Sequence, residues 1–331
     1  MKSIKYLIVL TSLVIWLPSC VTSPANTVKD VPKSPISTAL ISPTTIPASS
    51  TPTKITGQIV YSENGYIYSI NANGANKTYL AKGRSPVWSP DGSQIAFLSN
   101  TGGKIVCGIF FMNSDGTNQR PLTLKHPEYQ SPCDMIDWQN NGNLITYYAF
   151  SRTELNEFDT EIFSIDINSD NPLQITHNKP SDVYPSWSPD GKQIAFASHY
   201  LTEDTRASAS SIHIMNADGS DEKQLTNQGF TDYSPVFSPN GKLIAFVSSR
   251  PNLVSGLYVM NTNGSEQRLV IDEKMTNSRI IDPVWSPDGQ WLLFTAWHDW
   301  SKEKPAQLFI VNIDGSNLTY LADGEDADWK P

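Results

Sequence analysis

The sequence predicts an all-β fold, a six-bladed β-propeller whose blades are four-stranded antiparallel sheets. Three observations predict it: a motif that recurs every 48 to 50 residues, hairpin turns between apolar runs, and two end segments that together supply the strands of one blade. Repeats of this period are typical of solenoids and propellers. The propeller is predicted over residues 55–331, after two N-terminal segments of different composition.

Residues 1–19 are typical of an export signal. Lys2 and Lys5 precede an uncharged, mostly apolar stretch of 12 residues, 6–17, whereas a membrane-spanning helix needs about 20. The stretch ends at Leu17-Pro18-Ser19-Cys20, which resembles the lipobox of bacterial lipoproteins. That resemblance implies a lipid on the sulfur of Cys20. The alternative is an ordinary secretory signal with an incidental cysteine.

Residues 20–54 are predicted to form an extended tether. Residues 21–54 contain six prolines and thirteen Ser or Thr residues, a composition that cannot bury a core. The expected location is therefore outside the cytoplasm, with a lipid in the membrane and a domain that faces the periplasm or the cell exterior.

The repeat is a Trp-Ser-Pro-Asp-Gly element followed by a fixed order of segments. After the glycine come a short apolar run such as Ile95-Ala96-Phe97, a variable loop, a second apolar run, a turn such as Asn216-Ala217-Asp218-Gly219, and a short last strand. Asp-Gly and Asn-Gly between apolar runs are hairpin signals. Each repeat is therefore predicted to be a meander of strands a, b, c and d. The aromatic anchors at the end of strand a are Trp88, Trp138, Trp187, Phe237, Trp285 and Trp329.

The middle strands are apolar on both faces, so each sheet must be covered on both sides, which radial stacking achieves. Strand a is expected at the inner edge of each blade, since Pro86, Pro185 and equivalent prolines occupy it and only an edge strand can spare the N–H. Residues 57–81 provide strands b, c and d alone, and Asp328-Trp329 provide the missing strand a. Five whole blades and this split blade make six.

The Trp-Ser-Pro-Asp-Gly, Ile-Ala-Phe and Asp-Gly-Ser elements resemble those of the TolB-type, WD-repeat-like propeller family over residues 55–331. That family carries a separate α/β domain before its propeller, and here the tether stands in that position. The resemblance therefore implies the fold, while a role in a Tol–Pal system does not carry over with it.

Cys107 and Cys133 are both expected toward one face of the ring. An exported protein folds in an oxidising compartment, so a disulfide between them is predicted, with two separate buried thiols as the alternative. Residues 55–331 hold 19 of the 24 basic residues and 32 of the 33 acidic residues. This acidic excess argues against nucleic acid or an anionic membrane surface as a partner.

The binding face is predicted at the end of the ring that carries the d–a and b–c loops, because these loops vary while the a–b and c–d turns are tight and repetitive. The d–a segments bring acids toward the channel, including Asp134 and Asp328. These acids suit a basic peptide or a cation, or else form a solvated rim. The predicted ligand-binding residues are Asp182, Tyr184, Asp232, Tyr233, Arg279, Asp282, Asp326, Trp297, His298 and Trp300.

Long b–c loops are expected at 151–161, 198–211 and 296–307. The last contains Trp297-His298-Asp299-Trp300, where two indoles can grip a sugar ring or a peptide side chain, or can simply cover the blade below. No calcium-binding loop motif is present, and neither a metal nor a cofactor is predicted.

The sequence contains no Gly-x-Ser-x-Gly elbow and no His-Glu-x-x-His motif, and its five histidines lie in different repeat contexts. The predicted function is a monomeric, envelope-anchored scaffold that binds a protein or peptide. The alternative is a surface glycan-binding protein or a carbohydrate-active enzyme that uses the channel-mouth loops, since propeller enzymes often lack linear motifs. A purely structural envelope protein is the third hypothesis.

Overall fold

A computed structural model describes ten stretches of the chain, all within the compact unit Thr53–Pro331. The described residues are 55–100, 107–122, 134–140, 142–152, 158–177, 181–201, 208–227, 229–250, 254–298 and 305–331. Cys20, Cys133 and Trp300 lie outside them, so the lipid, the disulfide and the role of Trp300 stay predictions. Within these stretches, none of the helices has the length and apolar character that crossing a membrane requires.

The first half of the described chain is a succession of short strands. They are β1 (Gln58–Glu63), β2 (Tyr66–Asn71), β3 (Thr78–Lys82), β4 (Arg84–Trp88), β5 (Gln94–Asn100), β6 (Cys107–Asn113), β7 (Arg120–Pro121), β8 (Asp134–Trp138), β9 (Leu144–Arg152), β10 (Phe158–Asp166), β11 (Leu173–Gln174) and β12 (Ser181–Trp187).

The second half continues in the same way and adds one 3₁₀ turn, Glu273–Met275. Its strands are β13 (Gln193–Leu201), β14 (Ser208–Asn216), β15 (Lys223–Gln224), β16 (Thr231–Phe237), β17 (Leu243–Ser249), β18 (Gly256–Asn261), β19 (Arg268–Asp272), β20 (Arg279–Trp285), β21 (Trp291–Trp297), β22 (Gln307–Asn312), β23 (Thr319–Asp323) and β24 (Glu325–Trp329).

The described strands pair into sheets that follow the repeats, antiparallel within each repeat. β4 to β7, β8 to β11 and β20 to β23 each form a four-stranded sheet, and β24 completes the sheet of β1 to β3 by pairing with β1. β12 to β19 form one eight-stranded sheet, in which two meanders meet through a single pair, Ser210 with Thr231. The fold is therefore an all-β propeller, which confirms that part of the predicted fold class.

The first strand of each meander lies against the first strands of its neighbours. These inner strands contact one another in the order β4, β8, β12, β16, β20 and β24, and β24 contacts β4 again. They surround the axis of the propeller, so the side chains of these strands line any cavity that lies on this axis.

The core consists of residues in equivalent positions of the repeats. Phe97, Phe196, Phe246 and Phe294 are all buried in the second strands of their meanders, with at most 1% of each side chain exposed. Burial of such a side chain stabilises the fold by about 1.5–3 kcal/mol. In β5, Ile95 and Phe97 pack toward the preceding sheet while Ala96 and Leu98 pack toward the following one, so both faces of this middle strand are buried.

The a–b turns are stabilised by their own side chains. The Ser238 hydroxyl donates to Asn240 Oδ1 at 2.9 Å and accepts the Leu243 N–H at 3.0 Å. Ser89 and Asp91 repeat the arrangement, and the pKa of Asp91 is lowered to about 2 because the Ser89 hydroxyl and groups of Ser93 donate to its carboxylate. These local hydrogen bonds explain why the turn sequence is so regular.

Two of the predicted b–c loops are shorter than expected, and this part of the prediction is wrong. β9 and β10 pair as far as Arg152 and Phe158, and β13 and β14 pair as far as Leu201 and Ser208. The polar residues at these positions lie in strands because the ladder satisfies their backbone groups whatever their side chains.

Candidate functional site

Each inner strand contains a bulge at the same position. The register slips there against the second strand of the meander, for example between Tyr233 and Val236, and between Ile281 and Val284. A residue with positive φ sits in every bulge, although none is glycine. The six residues are Ser85, Met135, Tyr184, Ser234, Asp282 and Asp326.

These six residues line a cavity of about 110 Å³ on the propeller axis. Pro86, Pro185, Pro235 and Pro283 follow four of them and also line it, which accounts for the prolines in the repeat. A bulge bends its strand and aims side chains away from the regular pleat. The bulges therefore turn one residue of each inner strand toward the axis.

Asp282 and Asp326 place two carboxylates in this cavity, and each is held by a serine of another inner strand. The Ser234 hydroxyl donates to Asp282 Oδ1 at 2.9 Å. The Ser85 hydroxyl donates to Asp326 Oδ2 at 3.2 Å. These bonds cross between meanders, so the carboxylates have defined positions.

Two further carboxylates, Asp137 and Asp328, lie deeper in the channel. The Trp187 N–H donates to Asp137 Oδ2 at 2.6 Å, and the Trp88 N–H donates to Asp328 Oδ2 at 2.7 Å. Each aspartate thereby links its own inner strand to the next one around the axis. Burial raises the pKa of both carboxyls to about 7, and the charge of Asp328 adds to the rise at Asp137.

A second, wider cavity of about 420 Å³ opens at the end of the ring that carries the a–b turns. The aromatic anchors and the prolines after them line it. The two cavities share one set of residues, which therefore lies between them: Val87, Asp137, Ser186, Val236, Val284 and Asp328. Asp137 and Asp328 are the titratable members of this constriction.

Two of the predicted ligand-binding residues, Asp182 and Asp232, are fully buried and do not line either cavity. The Ser248 hydroxyl donates to Asp232 Oδ1, across the first two strands of one meander. Burial raises the pKa of Asp232, and it raises that of Asp182 to about 7. Their side chains join strands within the sheet, a position that leaves them no contact with solvent.

Tyr184, Tyr233 and Arg279 form a connected group beside the channel. Arg279 Nε donates to the Tyr233 hydroxyl at 3.0 Å, and that hydroxyl donates to the Ile280 carbonyl at 3.1 Å. The rings of Tyr184 and Tyr233 are 6.2 Å apart. Of the three, Tyr184 lines the cavity.

Trp297 and His298 lie elsewhere on the propeller. Trp297 lines a separate cleft of about 430 Å³ between the sheet of β20 to β23 and the sheet that contains β1. His298 Nε2 is 2.8 Å from Gln307 Oε1. The structure thus divides the predicted residues between the channel, the sheet interiors and this cleft.

Asp137 was not among the residues that the sequence predicted for the channel. A signal was available: Asp137 and Asp328 each stand directly before an aromatic anchor, Trp138 and Trp329. Among the described residues, no group of three or more His, Cys, Asp or Glu side chains is placed to hold a metal ion.

Comparison with known proteins points to one family. The family model for the TolB beta propeller domain matches residues 149–331. A TolB homologue of Chlorobium chlorochromatii is 32% identical over 136 residues, which are 40% of this chain and 28% of that protein. The Tol-Pal system protein TolB of Francisella tularensis subsp. mediasiatica is 29% identical over 226 residues, which are 67% of this chain and 47% of that protein.

The matches to these relatives thus span less than half of their lengths. Among solved structures, TolB from Acinetobacter baumannii superposes with a TM-score of 0.69 at 19% identity, over 86% of this chain and 69% of that one. At this identity the superposition shows a shared fold.

Proposed function

Because this chain belongs to the TolB β-propeller family, we propose that it is an exported envelope protein whose propeller binds a segment of another envelope protein. Relatives of this chain are described as Tol-Pal system proteins. A propeller is a rigid scaffold, so its binding residues keep their positions without a cost in ordering.

The observation that carries the proposal is the set of four carboxylates on the propeller axis. Asp282 and Asp326 line the first axial cavity, of about 110 Å³, and Asp137 and Asp328 lie at the constriction between it and the wider one. Among the described residues that line this first cavity, none is basic. Such a channel attracts a positively charged side chain and steers it inward, since a cleft of one sign concentrates the opposite charge. We therefore assign a lysine- or arginine-bearing segment as the ligand.

A labelled tetralysine peptide tests the assignment by fluorescence anisotropy. We expect the double variant Asp282→Asn, Asp326→Asn to weaken binding at least tenfold, because it removes two charges and keeps the shape of both side chains. A tenfold loss corresponds to about 1.4 kcal/mol. Salt should weaken binding to the parent more than binding to the variant.

The matched control is Glu266→Gln with Asp221→Asn, which removes the same charge from turns outside the channel. Equal loss in the control and the channel variant would mean that only net charge attracts the peptide, and the channel would then not be the site. Equal affinity for tetraglutamate would also contradict the proposal.

We also propose that the ring has six blades and closes through β24 and β1. The support is that the eight-stranded sheet consists of two meanders joined by one residue pair, and that Ile59 pairs with Trp329 and Val60 with Asp328. Six inner strands then correspond to six anchors. This closure pairs the inner edge of β1 and leaves only the short outer strands of the meanders as sheet edges, an arrangement that limits edge-to-edge association and fits a monomer.

We further propose that residues 1–19 are an export signal, that Cys20 is lipidated, and that residues 20–54 tether the propeller to the membrane. The support is the sequence of the segment, with its basic start, uncharged stretch and Cys20. The propeller would then face the periplasm or the cell exterior. Mass spectrometry of the mature N-terminus should find an acylated Cys20, and an unmodified terminus at another residue would contradict it.

A further inference from the structure

The cleft beside Trp297 is separate from the channel and has a composition of its own. Three segments line it: the turn between β1 and β2, residues 62–65; Trp297 with Pro305 and Ala306; and residues 323–325 between β23 and β24. Its volume, about 430 Å³, lies within the range of small-molecule sites.

The floor of the cleft is held by backbone contacts. The Gly324 N–H donates to the Ala306 carbonyl at 2.8 Å. A Cβ at Gly324, whose φ is +151°, would lie 2.5 Å from the Tyr61 ring and 2.8 Å from the Ser62 carbonyl. Glycine thus lets the two sheets approach at the base of the cleft.

One wall is aromatic, and further aromatic rings are exposed on β2, β3 and β23, which belong to the two sheets that flank the cleft. Trp297 ends β21 with its side chain partly exposed at the cleft. Tyr320, on β23, is 49% exposed, and Tyr66 and Tyr79 are 41% and 55% exposed with ring centroids 6.1 Å apart. Exposed flat rings of this kind present apolar faces at little cost in side-chain entropy.

The polar groups of the cleft are positioned by neighbours. The Tyr320 hydroxyl donates to Asp323 Oδ1 at 2.9 Å, and Gln307 Nε2 approaches the same oxygen at 3.5 Å. Gln307 in turn contacts His298. Across the cleft, Lys77 pairs with Glu63. Carboxylates held in this way are ready acceptors for hydroxyl hydrogens.

From this combination we propose that the cleft binds a saccharide without acidic groups, with one sugar ring stacked on Trp297 and its hydroxyls donating to Asp323 and Glu63. The apolar C–H face of a sugar ring suits an indole, and its hydroxyls suit carboxylate and amide oxygens. Glu63, Asp323 and Glu325 line the cleft without a basic lining residue among those described, so an anionic sugar is disfavoured.

The site is independent of the channel. Trp297, Asp323 and Glu63 do not line either channel cavity. The channel variant Asp282→Asn, Asp326→Asn should therefore bind saccharide as the parent does, and failure of one proposal leaves the other standing.

Isothermal titration calorimetry of the full chain, in a zwitterionic detergent without sugar headgroups, tests the proposal. The probes are cellotriose, chitotriose, the glucosamine trimer, trigalacturonate and cadaverine. We expect saturable binding of cellotriose or chitotriose, which carry no charge, and none of trigalacturonate. Trp297→Ala should weaken that binding at least tenfold, and Trp297→Phe, which keeps a flat ring, by less than threefold.

Tyr200→Ala is the matched control, because Tyr200 lies one residue before the end of β13, much as Trp297 lies at the end of β21, but outside the cleft. It should leave the affinity unchanged. Asp323→Asn should reduce it, which tests the polar wall. Binding of trigalacturonate as tight as that of cellotriose or chitotriose, binding of the cationic glucosamine trimer or cadaverine alone, no binding of any probe, or equal losses in Trp297→Ala and Tyr200→Ala would each overturn the proposal.

Discussion

At the scale of single residues, the acidity of an aspartate in this protein follows its surroundings. Asp91, in an exposed turn, has a pKa lowered to about 2 because hydroxyl and N–H groups donate to its carboxylate. Asp137, in the channel wall, has a pKa raised to about 7 because burial disfavours the charged form and Asp328 is near. The same side chain is thus charged in one place and half-protonated near neutrality in the other.

The raised pKa values predict that stability falls as the pH rises. An unfolded aspartate loses its proton near pH 3.8, while folded Asp137 keeps it until about pH 7. Between these values the folded state binds the extra proton, so its stability decreases with pH across this window and stays low above it. The raised pKa values of Asp328 and Asp182 likewise make stability decrease as the pH rises. The melting temperature should be higher at pH 5 than at pH 8.

Asp137→Asn should flatten this dependence, because the amide does not titrate and its oxygen still accepts the Trp187 N–H. The difference in unfolding free energy between pH 5 and pH 8 should be smaller in the variant than in the parent by on the order of 1–2 kcal/mol. This figure allows for water in the channel. Asp91→Asn is the control, since its carboxyl is ionised throughout that range. The two variants can be compared by denaturant unfolding at several pH values, and identical slopes would contradict the assignment.

At the scale of elements, the hairpin turns decide how closely the meanders pack. Gly264, in the turn after β18, has φ +84°, and a Cβ there would lie 2.5 Å from the Leu225 carbonyl of the preceding meander. Gly65, in the turn after β1, has a similar φ of +81° with nothing within 4 Å of that Cβ. Gly264 is needed both for its positive φ and for the close approach of the neighbouring backbone. Gly65 is needed for its positive φ alone.

Alanine substitutions at Gly65 and Gly264 test this difference. Gly65→Ala should cost about 1 kcal/mol, the price of positive φ for a residue with a Cβ. Gly264→Ala should cost about 2–3 kcal/mol, because the turn must also move away from the neighbouring backbone. Urea unfolding of both variants measures the difference. Equal losses of unfolding free energy in the two variants would show that the turn of Gly264 is not in close contact with the adjacent meander.

At the scale of the whole molecule, the pairing of β24 with β1 brings together residues about 270 positions apart. Trp329 Nε1 donates to the Thr56 carbonyl at 3.2 Å, and the Lys330 N–H donates to the Gln58 carbonyl at 2.8 Å. Contacts between the two ends of a chain restrain every element between them, so loss of this strand affects the whole ring.

Removal of residues 326–331 should therefore lower the melting temperature by more than 10 °C. The estimate follows from loss of several kcal/mol, at about 2–4 °C per kcal/mol for a domain of this size. Removal of Pro331 alone is the control and should change it by less than 2 °C, because the hydrogen bond from Lys330 remains. A truncated protein that melts with the parent would disprove closure through β24.

Local signals in the sequence predicted much of this architecture. The Trp-Ser-Pro-Asp-Gly repeat predicted the propeller and the inner position of the proline-bearing strands, because turn residues and short apolar runs act between neighbours in the chain. The ends of β13 and β14 were not predicted, since pairing in a ladder tolerates polar side chains that suggest a loop. Asp182 and Asp232 were predicted at the channel mouth, but the direction of a side chain near a bulge depends on where the register slips.

The sequence by itself determined the repeat, the turns, the apolar layers and the acidic balance of the propeller, since each depends on residues close together in the chain. Only the tertiary structure decided which acids share the channel and that Trp297 lines a different cleft. The channel joins Asp137 with Asp328, and the cleft joins Trp297 with Glu63. These residues are far apart in sequence, and the packing of whole sheets sets their distances.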